Sequence, residues 1–260
     1  MALLESIKMS ENKVRYHLLD ELRGFMVLCM VFFHGFYLGG FAFGIEFMAE
    51  LYYFFEPLEP IFAAGFIFIC GLCTKFSRSP LKRGVLALAV GFLVTAVTLL
   101  MTLFGINEPI YFGILHLLGS CLVLSSLLQK PLSNIKSPIL PAALLLLFLL
   151  FYNLEYGYFG IGSLTVVVPD YIYELGFLFP LGFPPSGFMT GDYFPLIPWA
   201  FVFFCGVTFG NFINGKLPNA FEKSRLKPLS FIGKNALLFY LVHQPVWYGV
   251  FCLLQFMNVI

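Results

Sequence analysis

Along the chain, long runs of apolar residues alternate with short polar, charge-bearing stretches. Seven runs approach the roughly 20 residues that a helix needs to cross the hydrocarbon of a bilayer. They lie near 21–43, 58–77, 83–105, 110–129, 138–154, 193–214 and 236–258. The fifth is short but almost pure Leu and Phe. Pro57, Pro60, Pro109, Pro131, Pro138 and Pro195 fall at or near run ends, where a missing N–H costs least. The pattern predicts an all-α polytopic transmembrane bundle of seven spans. The whole chain, 1–260, reads as one integral-membrane domain.

Charge then orients the bundle. With seven spans, the N-terminus and the loops 78–82, 130–137 and 215–235 share one side. Counting the adjoining span ends, that side holds all 15 Lys and Arg. The other side holds Glu46, Glu50, Glu56, Glu59, Glu108, Glu155, Asp170, Glu174 and Asp192. Basic residues mark the cytoplasmic side, so a cytoplasmic N-terminus and an outside C-terminus are expected. An even number of spans would break this partition. Residues 1–20 read as a cytoplasmic tail followed by a retained first span rather than a cleaved signal.

Composition agrees: 60% of residues are hydrophobic and 11% charged, including 34 Phe, with a mean hydropathy of +0.89. These values exclude an ordinary soluble domain. The near-neutral balance gives no reason to expect a nucleic-acid partner. All six cysteines fall inside apolar runs. Cys70-Gly-Leu-Cys73 has redox spacing, but buried free Cys more simply acts as a small packing residue. The acidic, aromatic stretch 45–57 suits the membrane interface. Residues 155–192, rich in Gly, Pro, Phe and Tyr, suit an outer lid or re-entrant segment, because irregular backbone at membrane depth must line protein or water.

Against this apolar ground a few ionisable groups stand out, and such groups within a membrane normally face the bundle interior or a water-filled cavity. Arg23 and His34, eleven apart, share one helix face and are separated by about 16 Å along the axis. Asp20 precedes Arg23 at pairing distance. His116, flanked by Gly113 and Gly119, is expected about 9 Å in from the outer end of the fourth span. It could be catalytic or interhelical glue. His243 precedes Gln244 and Pro245 in the seventh span, where proline frees a backbone carbonyl. Asp192, at the outer entrance of the sixth span, could cap that helix or orient a histidine. Three intramembrane histidines and one rim carboxylate would form one site if they converge on a cavity. Basic residues, among them Arg83 and Lys234, surround the cytoplasmic opening and suit a polyphosphate ligand. No phosphate-binding loop, dinucleotide motif or metal-ligand spacing occurs, so no metal is expected.

Four blocks occur in order and cover nearly the whole chain: LLDELRGFMVLCMVFFHGFY, IYFGILHLLGSCLVL, LGFPPSGFMTGDYFPLIPWAFVFFCGVTFG and LSFIGKNALLFYLVHQPVWYG. Together they resemble a bacterial membrane family related to the catalytic domain of heparan-α-glucosaminide N-acetyltransferase. The Arg-X10-His spacing also resembles the first span of acyltransferase-3 enzymes. The resemblance implies a transmembrane acyltransferase of the bacterial inner membrane. It would move an acyl group, acetyl above all, from cytosolic acetyl-CoA or another acyl-CoA to an extracytoplasmic acceptor such as a glycan amine or hydroxyl. Lipid surrounds such a bundle, and a homodimer is compatible with it. The lysosomal enzyme carries its acetyl-accepting histidine in the outer segment after its first span. The comparable stretch here, GGFAFGIEFMAELYYFFEP, has only Glu46 and Glu50. On this reading His34, His116 and Asp192 are the catalytic candidates. Arg23, Arg83, Lys234, His243 and Gln244 would contact the acyl-CoA. The rival class is a proton-coupled transporter, which mid-depth histidines and a proline-broken span also suit.

Overall fold

Each of the seven apolar runs contains a helix, but the helices do not all fill their runs. The computed structural model describes residues 15–77 and 79–260. The first 14 residues of the expected tail, and Arg78 of the first basic loop, lie outside the described residues. In chain order the helices are α1 His17–Tyr37, α2 Glu46–Phe55, α3 Glu59–Leu72, α4 Pro80–Thr102 and α5 Ile114–Leu127, then the short α6 Gln129–Ser133 and α7 Ile139–Phe151. After a two-stranded hairpin come the short α8 Tyr171–Glu174, α9 Leu196–Phe212, α10 Lys227–Lys234 and α11 Ala236–Phe256. Five helical stretches are long and apolar enough to cross a membrane: His17–Ala42, Glu46–Phe76, Pro80–Thr102, Ile139–Tyr156 and Ala236–Phe256. The second begins well before the expected position 58, because the aromatic stretch 45–57 is itself helical and joins α3 through a single tight turn.

The remaining two runs hold helices of 14 and 17 residues, about 21 and 26 Å long. One feature shortens both. Residues 110–113 and 193–195 are not helical. Phe112 and Tyr193 form a parallel backbone bridge, and the Phe194 N–H donates to the Phe112 carbonyl at 3.0 Å. Non-helical backbone must find partners within the protein if it lies at membrane depth, and α4 supplies them. Thr98 Oγ1 accepts the Ile110 N–H at 3.0 Å, and the Thr95 hydroxyl donates to the Ile110 carbonyl at 2.7 Å.

Contacts divide the chain into two units, one ending at Phe66 and resuming at Leu217, the other Ile67–Lys216. The division falls within α3.

In the first unit, α1 packs against α10 and α11. Glycine permits the closest approach. A Cβ on Gly24 of α1 would lie 1.9 Å from the Leu229 carbonyl oxygen, and one on Gly233 of α10 would lie 1.8 Å from that of Asp20. The two backbones therefore touch, which accounts for the glycines of the LRG and IGK segments. Glu21 is buried in the same contact. Its Oε1 accepts the Ser224 hydroxyl at 2.8 Å and the N–H groups of Arg225 and Leu226 at 2.7 and 3.0 Å. Those groups lead into α10, so a carboxylate 203 residues away from Ser224 closes a helix start that has no cap of its own. Trp247 of α11 packs over Gly35 and donates to the Val31 carbonyl at 2.8 Å.

In the second unit, α4 and α5 approach through Gly84 and Gly119. A Cβ on Gly84 would lie 2.9 Å from the Val123 nitrogen, and one on Gly119 would lie 2.7 Å from that of Leu88. α9 packs on α7 and α5. It also meets the end of α3, where Gly71 faces the Phe203 carbonyl and Gly206 that of Phe68. Such small-residue contacts are a usual means of joining helices that gain no hydrophobic drive from lipid. The segment 155–192 holds an antiparallel hairpin, β1 Tyr158–Ile161 and β2 Leu164–Val167, paired Tyr158↔Val167 to Ile161↔Leu164. It rests on α7 through the stacked rings of Phe151 and Phe159. The hairpin was not evident as a strand pattern.

Candidate functional site

In the first unit, α1 and α11 bring two of the predicted histidines into direct contact. His34 Nδ1 lies 2.7 Å from His243 Nε2, and the rings stack with centroids 5.0 Å apart. His243 is buried, 5% exposed, while His34 is partly open. The second nitrogen of His243, Nδ1, lies 2.6 Å from the Tyr240 carbonyl. A carbonyl only accepts, so His243 Nδ1 carries a proton. In neutral His243 the other nitrogen, Nε2, must then accept. His34 Nδ1–H is the donor to it, and the lone pair of His34 is left on Nε2. The hydrogen-bond network thus assigns both tautomers, which heavy-atom positions alone do not.

Local sequence explains the placement. Val31, His34 and Gly35 lie within one turn of α1. Gly35 makes room for Trp247, and the indole N–H pins α11 to the Val31 carbonyl one turn before His34. Tyr240 and His243 are three apart on α11, so the carbonyl of one reaches the ring of the other. Pro245 lies inside the same helix. Gln244, expected to line the path with His243, is exposed. Consecutive helical residues diverge by 100°, so it cannot share His243's direction.

Arg23, eleven residues before His34 on α1, is also engaged. Its Nη1 lies 3.4 Å from the Gly233 carbonyl and 3.6 Å from Asp20 Oδ1, and Asp20 also binds Arg15 at 2.9 Å. Arg23 therefore serves the α1–α10 contact. Lys234 sits in the last turn of α10, where a cation complements the helix dipole.

In the second unit, His116 and Asp192 each accept a different backbone N–H at the start of α5. His116 lies two residues inside the helix, not six as the apolar pattern suggested, because 110–113 is extended. It is buried, 1% exposed. The Gly113 N–H donates to His116 Nδ1 at 3.3 Å. That leaves the proton on Nε2, which lies 3.4 Å from Thr95 Oγ1. Gly91 of α4 faces the ring, and a Cβ there would stand 3.2 Å from it. Asp192 was expected either to cap its own helix or to orient a histidine. Instead its Oδ2 accepts the Ile114 N–H at 3.1 Å, and α9 starts from Pro195 with no side-chain cap. The extended pairing of Phe112 with Tyr193 carries Asp192 to α5 and away from the α9 start. The Tyr193 hydroxyl donates to the Phe179 carbonyl at 2.7 Å. Arg83 is exposed in the first turn of α4.

Sequence reasoning missed Tyr240, Trp247, Thr95 and Glu21. Of these only Glu21 carried a signal, a carboxylate opening an apolar run. Among the described residues no group of three or more His, Cys, Asp or Glu is arranged to hold a metal.

The paired imidazoles, with one ring nitrogen of His34 left unprotonated, can serve proton transfer or nucleophilic attack. No curated protein and no solved structure matches the chain. The family model described as heparan-alpha-glucosaminide N-acetyltransferase, catalytic, matches residues 15–245. The chain therefore belongs to the heparan-alpha-glucosaminide N-acetyltransferase catalytic-domain family.

Proposed function

We propose that this protein is a seven-span membrane acetyltransferase with a cytoplasmic N-terminus, moving an acetyl group from acetyl-CoA to an extracytoplasmic amine or hydroxyl, such as that of a saccharide. Membership of the family supports the reaction class. The observation that carries the residue assignment is the chain from the Tyr240 carbonyl through His243 to His34, which leaves a lone pair on His34 Nε2.

In this reading His34 is the general base. Its Nε2 takes the proton from the acceptor as the acceptor's nitrogen or oxygen attacks the thioester carbonyl. The tetrahedral intermediate collapses with cleavage of the carbon–sulfur bond, and the proton on Nε2 passes to the departing thiolate. The products are the acetylated acceptor and coenzyme A. His243 holds the base in the required tautomer and, through Tyr240, disperses the positive charge that forms. Lys234, in the same unit as the histidine pair, attracts the donor's phosphates as a point charge.

The test is transfer of labelled acetyl from acetyl-CoA to amino-sugar and sugar acceptors in vesicles of known sidedness. Label should appear on the acceptor, and His34→Ala should slow transfer by about 10²- to 10⁴-fold. Wild-type transfer by His34→Ala would remove His34 from the mechanism. Acceptor flux without thioester cleavage would instead support the transporter reading.

A further inference from the structure

One end of the second unit holds a polar pocket that none of these roles uses. It has a volume of about 180 Å³ and lies where the end of the α3 stretch, the start of α4, the end of α5, α6 and the end of α9 meet. Its polar lining includes Lys75, Ser77, Ser125, Gln129, Ser133 and Asn211.

Donor accounting shows what it can take. Both ends of the Asn211 amide are used: Oδ1 accepts from Lys75 Nζ at 3.2 Å, and Nδ2 donates to the Leu132 carbonyl at 3.0 Å. Asn211 thereby holds the ammonium at the pocket with two N–H groups to spare. Ser125 and Ser133 donate to the Leu122 and Lys130 carbonyls of their own helices. Ser77 Oγ is buried and has no hydrogen-bond partner among the described residues. A buried hydroxyl without a partner is costly and calls for an explanation. Lys75, Ser77 and Gln129 are thus the donors left to face a ligand.

Charge points the same way. Lys75, Lys82, Arg83, Lys130, Lys136 and Lys216 sit at or beside the helix ends around the pocket, and none forms an ion pair among the described residues. The carboxylates of this unit, Glu108, Glu155, Asp170, Glu174 and Asp192, lie in segments joining the opposite helix ends. The pocket therefore sits in an uncompensated positive field.

We propose that this pocket binds a phosphate group, with Lys75 supplying charge and Ser77 and Gln129 hydrogen bonds to its oxygens. The nucleotide phosphates of a coenzyme, the headgroup of an anionic phospholipid and inorganic phosphate share that chemistry. The assignment does not depend on acetyl transfer.

The test is the unfolding temperature of the full-length protein in detergent with inorganic phosphate or coenzyme A, against chloride at equal ionic strength. A lipid arm uses nanodiscs of phosphatidylcholine with and without phosphatidylglycerol. At least one arm should stabilise the wild type, and the responding arm identifies the source. Lys75→Gln and Ser77→Val should weaken that response about tenfold or more in half-saturating concentration, while Glu174→Gln, at the opposite helix ends, should retain it. Should Ser77→Val not fold, Lys75→Gln decides alone by ³¹P line broadening. Silence in every arm, or wild-type binding by Lys75→Gln, overturns the proposal.

Discussion

Asp192 closes the N-terminus of a helix that begins 78 residues before it, accepting the Ile114 N–H at 3.1 Å. Losing such a cap costs about 1 kcal/mol, within a range of roughly 0.5–2. Asp192→Ala should lower stability by that amount in reversible unfolding from detergent. Asp192→Asn, which keeps an acceptor, should stay within about 0.5 kcal/mol of wild type. Equal losses in both would show that the carboxylate charge, and not the cap, is what matters.

Gly24 and Gly249 offer a matched pair. An added Cβ at Gly24 strikes the Leu229 carbonyl, whereas one at Gly249 of α11 meets nothing within 4 Å. Gly24→Ala should destabilise by about 1–3 kcal/mol, the usual cost of forcing atoms into a packed contact. Gly249→Ala should be neutral or stabilising by up to about 1 kcal/mol, from helix propensity. Comparable unfolding midpoints for the two variants would contradict the backbone contact between α1 and α10.

Glu21 accepts three hydrogen bonds on one oxygen. Hydrogen bonds to a charged group contribute about 1.5–3 kcal/mol, and buried donors left without a partner carry a further penalty. Glu21→Ala should therefore destabilise by at least about 2 kcal/mol and raise hydrogen exchange at Arg225 and Leu226 first. Unchanged exchange there would show that α10 starts without the carboxylate.

His243 should be separable from a generic packing residue by rescue. In His243→Gln an amide oxygen can accept from His34 Nδ1–H, and in His243→Ala nothing can. Acetyl transfer should fall about tenfold or more in kcat for His243→Ala, the equivalent of one hydrogen bond, with the KM for acetyl-CoA unchanged. His243→Gln should recover most of that loss. Nitrogen-15 spectra of labelled histidine should show His34 protonated on Nδ1 in the wild type and redistributed in His243→Ala. A wild-type tautomer in His243→Ala would remove the positioning role.

The helices were legible because lipid demands long apolar runs and places charges at their ends. Their starts were less so. The run 110–129 is as apolar in its first four residues as in the rest, and hydropathy cannot tell a helical turn from an extended segment whose backbone is satisfied by Thr95 and Thr98. In the sequence each threonine is an ordinary polar residue within a span. The histidines were legible singly, by their cost in an apolar run. Their pairing was not, because His34 and His243 are 209 residues apart and no spacing rule links them. Asp192 was legible as a cap, but its client helix depends on the Phe112–Tyr193 bridge, a tertiary feature. Glu21 shows the same limit: a charge at a run end reads as topology until the loop it holds is seen.

The bridge between Phe112 and Tyr193 also has a mechanical consequence. Two distant stretches of chain are fastened at one rung, beside the carboxylate of one and the imidazole-bearing turn that follows the other. A molecule that pulls the 188–193 loop aside must drag the root of α5 with it, or break the rung. The start of α5 is thus held from two directions, by that rung and by the Thr95 and Thr98 hydroxyls of α4 on Ile110.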